Sequence, residues 1–234
     1  MTISRQFIDA MALAAGQSAG PRDIRWPTPE MPGGFVSFAN FGEWERTILG
    51  LRLQSGIPRV VTDQFDRALK LYLAAWLDFD LVTAGEQTAL ATLEYSLRDR
   101  YLDHFREQHL KVIIARAKKK RRSPLLKENF RSESISFDEL LNHMAANDGL
   151  TDDQLPCVRK YGGSVVKRLT GEVEPSLAAV RNVRAHGIPF GSGYQSGLIE
   201  AVRDLIEYAY RDWIEKAETL GWNAANGQGV RPIG

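Results

Sequence analysis

Apolar residues recur at helical spacing along most of this chain, and this periodicity limits its fold more than any other feature. Two long stripes run from Thr62 to about Phe79 and from Thr83 to Tyr101, and each threonine is predicted to cap its helix. A third stripe predicts one long final helix, carrying Leu198, Val202, Leu205, Ile206, Ala209, Trp213 and Ile214. Neither an internal repeat nor a parallel-sheet pattern appears, so we predict an all-α helical bundle.

Shorter helices are predicted between these stripes. Ser136 with Glu139 three residues on forms a capping-box pattern, and 147–149 ends that helix. The second stripe is expected to extend through the apolar residues 112–114 into a basic run and to stop at Pro124. Another helix is predicted within 156–169, either interrupted or started near Gly162 and Gly163. Ser176 begins another helix, which is predicted to run to His186 and to end at Gly187.

The first fifty-eight residues differ in character from the rest. Ile3, Phe7, Met11 and Ala15 share helical spacing and predict a short amphipathic helix. The prolines and glycines of 20–34 argue against helix and favour an extended linker or surface wrap, followed by a brief strand at 35–38 and a short helix at 41–51. We therefore predict an N-terminal extension at 1–58, a helical domain at 59–218 and a flexible tail at 219–234.

Composition narrows the classes of function. Thirty basic and twenty-nine acidic residues leave a formal charge of +1. Any binding of nucleic acid must therefore depend on a local group of basic residues and not on the net charge. The single cysteine, Cys157, excludes an internal disulfide framework and a cysteine-based zinc cluster. The other histidines, His104, His109 and His143, lack metal-ligand spacing, and no metal or cofactor is predicted. Because no apolar run has secretory or membrane-spanning length, we expect a cytoplasmic protein with no membrane partner.

The residue types best suited to catalysis lie together in the segment Arg181-Asn182-Val183-Arg184-Ala185-His186-Gly187. An imidazole moves protons near neutral pH, a guanidinium binds phosphate through two parallel hydrogen bonds, and an amide can orient either group. On a helix, Asn182 and His186 share a face, while Arg181 lies about 140° round from the histidine but has a long reach. A histidine in the last turn also meets the negative end of the helix dipole, which favours its protonated form.

This segment resembles the Arg-x4-6-His motif of the HEPN superfamily. The layout of the chain around it also resembles that of a HEPN domain, over about residues 60–215. The resemblance implies a HEPN-like bundle that acts as a homodimer, a metal-independent endoribonuclease of a bacterial toxin or antiphage system. It implies that His186 handles protons, that Arg181 holds the phosphate, and that Asn182 orients the imidazole or contacts substrate. RNA is the implied substrate, and an antitoxin or inhibitory partner is a further possibility.

Two other groups are candidates for supporting roles. Glu94 falls on the apolar stripe, where a carboxylate is costly unless it is paired, and Arg98 is available one turn later. The position resembles the acidic residue on the second HEPN helix, which implies that Glu94 holds Arg181 or His186; the alternative is an ordinary exposed pair. Contacts to RNA are assigned to basic residues, for which a solvated helix end is the alternative: Arg184, Lys118, Lys119, Lys120, Arg121 and Arg122.

The sequence leaves three functions open. The first is the endoribonuclease, and the second is a noncatalytic HEPN module that binds RNA or a nucleotide in the same cleft. The third is a dimeric adaptor whose interface is the final helix, 198–214. In the last case the Arg and His residues merely cap and solubilise a helix end.

Overall fold

The computed structural model describes residues 3–16, 20–29, 34–119, 135–185 and 197–219. These ranges contain ten helices and one two-stranded sheet, which confirms the predicted all-α class. The elements are α1 (Arg5–Gly16), β1 (Arg22–Arg25), β2 (Phe35–Phe38), α2 (Phe41–Leu49), α3 (Arg59–Ala74), α4 (Leu81–Lys119), α5 (Phe137–Ala146), α6 (Pro156–Tyr161), α7 (Val166–Leu169), α8 (Leu177–Ala185), α9 (Leu198–Ala209) and α10 (Arg211–Thr219).

Helix α4 is the centre of the bundle and contacts α3, α5, α8 and α9. Its apolar stripe is fully buried at Leu90, Leu93 and Leu97, as the periodicity predicted. Gly85 lets α3 approach closely, because a Cβ at this position would lie 2.7 Å from Cδ2 of Tyr72. The helix continues to Lys119, which confirms its predicted extension into the basic run.

The N-terminal segment packs into the same hydrophobic core as the helices that follow residue 58. The linker predicted for 20–34 is wrong in part, because 22–25 form β1, which pairs antiparallel with the predicted strand β2. Ile24 and Trp26 are buried, and the Trp26 ring meets Trp44 edge to face at 5.6 Å. Trp44 in turn donates from Nε1 to the carbonyl of Tyr72 in α3 at 2.8 Å.

Two predicted helix starts are wrong and two other predictions are confirmed. Helix α3 begins at Arg59, so Thr62 lies inside it and its hydroxyl donates to the Arg59 carbonyl. Helix α4 begins at Leu81, which places Thr83 within its first turn. The capping box at Ser136 forms as predicted. The break between α6 and α7 falls at the predicted glycine pair, which adopts φ values of +74° and +83°.

The predicted single final helix is also wrong, because α9 and α10 are separate. Tyr210 between them has φ −105° and ψ 16°, outside the helical range. Its ring is buried, its hydroxyl donates to Asp99 at 2.7 Å, and Arg100 donates from Nε to the Ala209 carbonyl at 2.8 Å. These two contacts bind the Tyr210 hydroxyl and the Ala209 carbonyl to α4, and they explain why the chain turns between α9 and α10.

The remaining predictions on the fold have mixed outcomes. The single cysteine, Cys157, is buried and free. Among the described ranges, no helix combines the length and apolar character needed to cross a membrane. The predicted end of the motif helix at His186 and Gly187, and the tail from residue 220 onward, lie outside the described residues.

Candidate functional site

Glu94 is a buried carboxylate on the inner face of α4, only 6% exposed. Its Oε1 accepts a hydrogen bond from Nη2 of Arg98 at 2.7 Å, one turn further along the helix. A carboxylate in this environment is stable only when its charge is compensated. The contact with Arg98 therefore differs from the exposed helix pair that the sequence left open.

Arg181 reaches the other oxygen of the same carboxylate from α8. Its Nε and Nη2 donate to Oε2 of Glu94 at 3.0 and 2.7 Å. Nη1 contacts Oδ1 of Asn182 at 3.3 Å. Helix α8 is held at its start by Ser176, whose Oγ accepts from the Ala179 amide at 3.1 Å. The guanidinium of Arg181 is therefore fixed in orientation by a buried group on a different helix.

Arg98 connects this pair to a third part of the chain. Its Nη2 also donates to the carbonyl of Ile135 at 3.0 Å, just before the capping box of α5. Sequence reasoning identified Glu94 and Arg98 but missed the sharing of one carboxylate between two arginines. It also missed the Ile135 carbonyl, because no side-chain pattern indicates where a backbone group will lie.

The arrangement leaves Arg181 able to bind an anion. The side chain of Arg181 keeps 34% of its surface exposed. Three of its five N–H groups donate within the described residues, and the other two have no partner there. Two guanidinium charges and one carboxylate charge also leave the cluster with a net charge of +1. Such a site favours a phosphate group.

Several predicted site residues cannot be placed beside this cluster. His186 follows directly after Ala185, the last residue of α8, and lies outside the described residues. Lys120, Arg121 and Arg122 lie outside them as well. The predicted roles of these residues, and those of the Arg184, Lys118 and Lys119 side chains, remain predictions.

A second polar cluster involves histidines on α4 and α5. The rings of His104 and His143 lie 4.1 Å apart, and the His143 ring also packs against Tyr101 and Phe105. Burial and the neighbouring His104 lower the pKa of His143. Across the described part of the chain, no group of three or more acidic, histidine or cysteine side chains is arranged to hold a metal ion.

Comparisons with protein-family models, with curated proteins and with solved structures gave no match. The chemistry of the residues around Arg181 is therefore the basis for inferring a function. The central feature of this site is a partly exposed guanidinium fixed by a buried carboxylate beside an exposed amide.

Proposed function

We propose that this protein is a HEPN-like, metal-independent endoribonuclease in which Arg181, Asn182 and His186 act on RNA. The observation that carries the proposal is the fixed guanidinium of Arg181, which is anchored on Glu94 and has two N–H groups without a partner in the described part of the chain. A catalytic group is more effective when its orientation is set before substrate arrives. The resemblance of the segment 181–187 to the HEPN motif supplies the type of reaction.

The proposed reaction is an attack of a ribose 2'-hydroxyl on the adjacent phosphorus. The O2'–P bond forms and the P–O5' bond breaks, which leaves a 2',3'-cyclic phosphate and a free 5'-hydroxyl. One proton leaves the 2'-hydroxyl and one reaches the departing 5'-oxygen, both through imidazole. His186 provides one imidazole, and in the proposed homodimer a second copy provides the other.

Arg181 would stabilise the charge that builds up on the nonbridging phosphate oxygens. Its free N–H groups can form parallel hydrogen bonds to these oxygens, which suits a guanidinium better than an ammonium group. The net charge of +1 on the cluster of Glu94, Arg98 and Arg181 supports the same role. Asn182, which is exposed and already contacts Arg181, can orient the imidazole or the substrate.

The test is cleavage of single-stranded RNA by the purified full chain in the presence of EDTA. We expect products ending in a 2',3'-cyclic phosphate, and no cleavage at a linkage whose 2'-hydroxyl is replaced by hydrogen. Arg181→Ala and His186→Ala should each lower the rate by at least about 100-fold, the size typical of a lost charge-stabilising or acid-base group. Loss of activity on chelation, or full activity in His186→Ala, would contradict the proposal.

Matched controls separate these effects from general charge loss. Arg59→Ala removes an arginine whose side chain is 88% exposed and pairs only loosely with Asp63 at 3.7 Å. His109→Ala removes an exposed histidine on α4. Both controls should cleave RNA at the wild-type rate.

The same charge cluster supports a second candidate, a noncatalytic module that binds RNA. This function predicts RNA binding that weakens in Arg181→Ala, without any cleavage by the wild-type chain. The adaptor function has less support, because the apolar residues of α9 are used inside the chain's own core. On the last two helices, Trp213 is the large apolar side chain that remains exposed.

A further inference from the structure

Arg98 carries the second positive charge beside Glu94, and the proposed reaction gives it no part. Glu94 carries one negative charge, which Arg181 alone is sufficient to compensate. Arg98 is therefore the residue that raises the net charge of the cluster to +1. Its side chain keeps 29% of its surface exposed, close to the 34% of Arg181, so both guanidinium groups are partly open to solvent beside the same buried carboxylate.

The hydrogen bonds of Arg98 show which of its nitrogen atoms a ligand can reach. Nη2 already has two acceptors, Oε1 of Glu94 at 2.7 Å and the Ile135 carbonyl at 3.0 Å. Nε is buried and has no acceptor in the described part of the chain. Nη1 has no acceptor there either, but it does not belong to the buried atoms that lack one. Its two N–H groups are therefore the ones that can donate to a ligand.

The two guanidinium groups are held at a short separation. Nη2 of Arg98 and Nη2 of Arg181 each lie 2.7 Å from a different oxygen of Glu94. Because the two oxygens of one carboxylate are close together, these nitrogens are no more than about 8 Å apart. The carboxylate between them repels an anion from the midpoint, so a phosphate is favoured on the outer side of each guanidinium.

We infer that Arg98 binds the phosphate next to the one held by Arg181, so that the site takes an RNA strand by two successive phosphates. This inference rests on the proposed binding of RNA at Arg181. Successive phosphates of a flexible single strand are one nucleotide apart, which suits two cations at this separation. The substrate class is therefore a single-stranded oligonucleotide with a phosphate on both sides of one nucleotide. A dinucleoside monophosphate lacks the second contact.

The test is binding of a 2'-deoxyuridine trinucleotide, which has two phosphates and cannot be cleaved by 2'-hydroxyl attack. It is compared, by NMR titration of the full chain, with the same trinucleotide in which either linkage is an uncharged methylphosphonate. The wild type should bind the two-phosphate form at least about 10-fold more tightly, since hydrogen bonds between charged groups are the strong ones. The slope of log affinity against log salt concentration should also be steeper by about 0.7, the value for one phosphate on a single strand.

Two variants of Arg98 should remove this preference for two phosphates. Arg98→Gln can still donate to Glu94 but has no charge. Arg98→Lys keeps a charge beside Glu94 but has one nitrogen, which cannot serve the carboxylate and a phosphate together as the fork of a guanidinium can. Thermal unfolding establishes that each variant is folded under the conditions of the titration. Arg5→Gln removes a charge from an arginine of α1 whose side chain is 84% exposed, and it should keep the wild-type preference.

Equal binding of the two forms by the wild type, or an unchanged preference in folded Arg98→Gln and Arg98→Lys, would overturn the inference. An equal loss of affinity for both forms in Arg98→Gln would overturn it as well, because both arginines would then act on one phosphate. The cleavage assay separates this inference from the proposed function. A chain that prefers two phosphates but does not cleave RNA would support the role of Arg98 and contradict the endoribonuclease, and a chain that cleaves RNA without this preference would do the reverse.

Discussion

Glu94 of α4 and Arg181 of α8 lie 87 positions apart in the chain and meet through two hydrogen bonds onto one carboxylate oxygen. The other oxygen of the same carboxylate accepts from Arg98, so a single buried negative charge orients two guanidinium groups. Removing one partner of a buried ion pair leaves the other charge uncompensated, which costs more than the pair itself contributes. Glu94 therefore stabilises both the bundle and the proposed phosphate-binding site.

Replacing Glu94 should lower stability and the proposed activity together. We expect Glu94→Ala to reduce the free energy of unfolding by about 2–4 kcal/mol, because two arginines lose a buried partner. Glu94→Gln keeps the shape and part of the hydrogen bonding, so its loss should be smaller. Urea unfolding measures the stability, and the RNA assay with EDTA measures the rate. In both variants the rate should fall even at temperatures where the chain remains folded.

Asp9→Ala is the control for this prediction. Asp9 pairs with Arg5 one turn away, but both side chains are more than half exposed, at 57% and 84%. Such a pair contributes about 0.5 kcal/mol or less. A Glu94→Ala chain as stable as Asp9→Ala would contradict the structural role that we assign to Glu94.

The sequence identified much of this site because a carboxylate on an apolar stripe is conspicuous. Periodicity alone places Glu94 among leucines, and a buried charge must have a partner. The identity of the partners was harder to determine. Arg98 is local and could be named from spacing, but Arg181 comes from another helix and was assigned through resemblance. The Ile135 carbonyl could not be found, because backbone groups carry no sequence signal.

The fold shows the same division between local and long-range information. The capping box at Ser136 and the break at Gly162 are set by residues within one turn, and both were predicted. Strand β1 was missed because three of its four residues are charged, and its pairing with β2 is what orders them. The break at Tyr210 was missed because contacts from α4 cause it.

Close packing of α3 against α4 predicts that Gly85→Ala is destabilising. Alanine normally stabilises a helix by about 1 kcal/mol relative to glycine. Here the added Cβ would lie 2.7 and 2.9 Å from carbons of the buried Tyr72 ring and 3.3 Å from the Ala68 carbonyl. We expect the clash to outweigh the gain and to lower the free energy of unfolding by about 1–3 kcal/mol, as overpacking does.

Gly16→Ala provides the comparison, since a Cβ there meets nothing within 4 Å. This variant should be as stable as the wild type or slightly more so. Thermal or urea unfolding measures the stability of both variants against that of the wild type. A Gly85→Ala chain more stable than the wild type would show that α3 and α4 can move apart at no cost.

The paired histidines predict that stability falls on mild acidification. Burial and then His104 lower the pKa of His143 below its ordinary value of 6.5, although Asp148 acts in the opposite direction. The unfolded chain therefore takes up a proton at a higher pH than the folded chain does. The contribution of neutral His143 to the free energy of unfolding is therefore fully present above about pH 6.5 and is lost as the pH falls below that value.

His143→Phe keeps an aromatic ring against Tyr101 and Phe105 but cannot be protonated. Urea unfolding at pH 7.5 and 5.5 should show a larger loss of stability for the wild type than for this variant. His109→Phe, at an exposed position, should lose as much as the wild type. An equal loss in wild type and His143→Phe would exclude His143 as a source of the pH dependence.

Tyr210→Phe tests the cause of the break between α9 and α10. The hydroxyl of Tyr210 donates to Asp99 at 2.7 Å from a fully buried ring, and burial and this contact raise the pKa of the phenol. Removing the hydroxyl leaves the Asp99 carboxylate without this donor, so the free energy of unfolding should fall by about 1–2 kcal/mol. Tyr95→Phe removes a hydroxyl from a residue that is 40% exposed and should change stability by less than about 0.5 kcal/mol. Equal effects of the two changes would show that the contact with α4 does not hold the break in place.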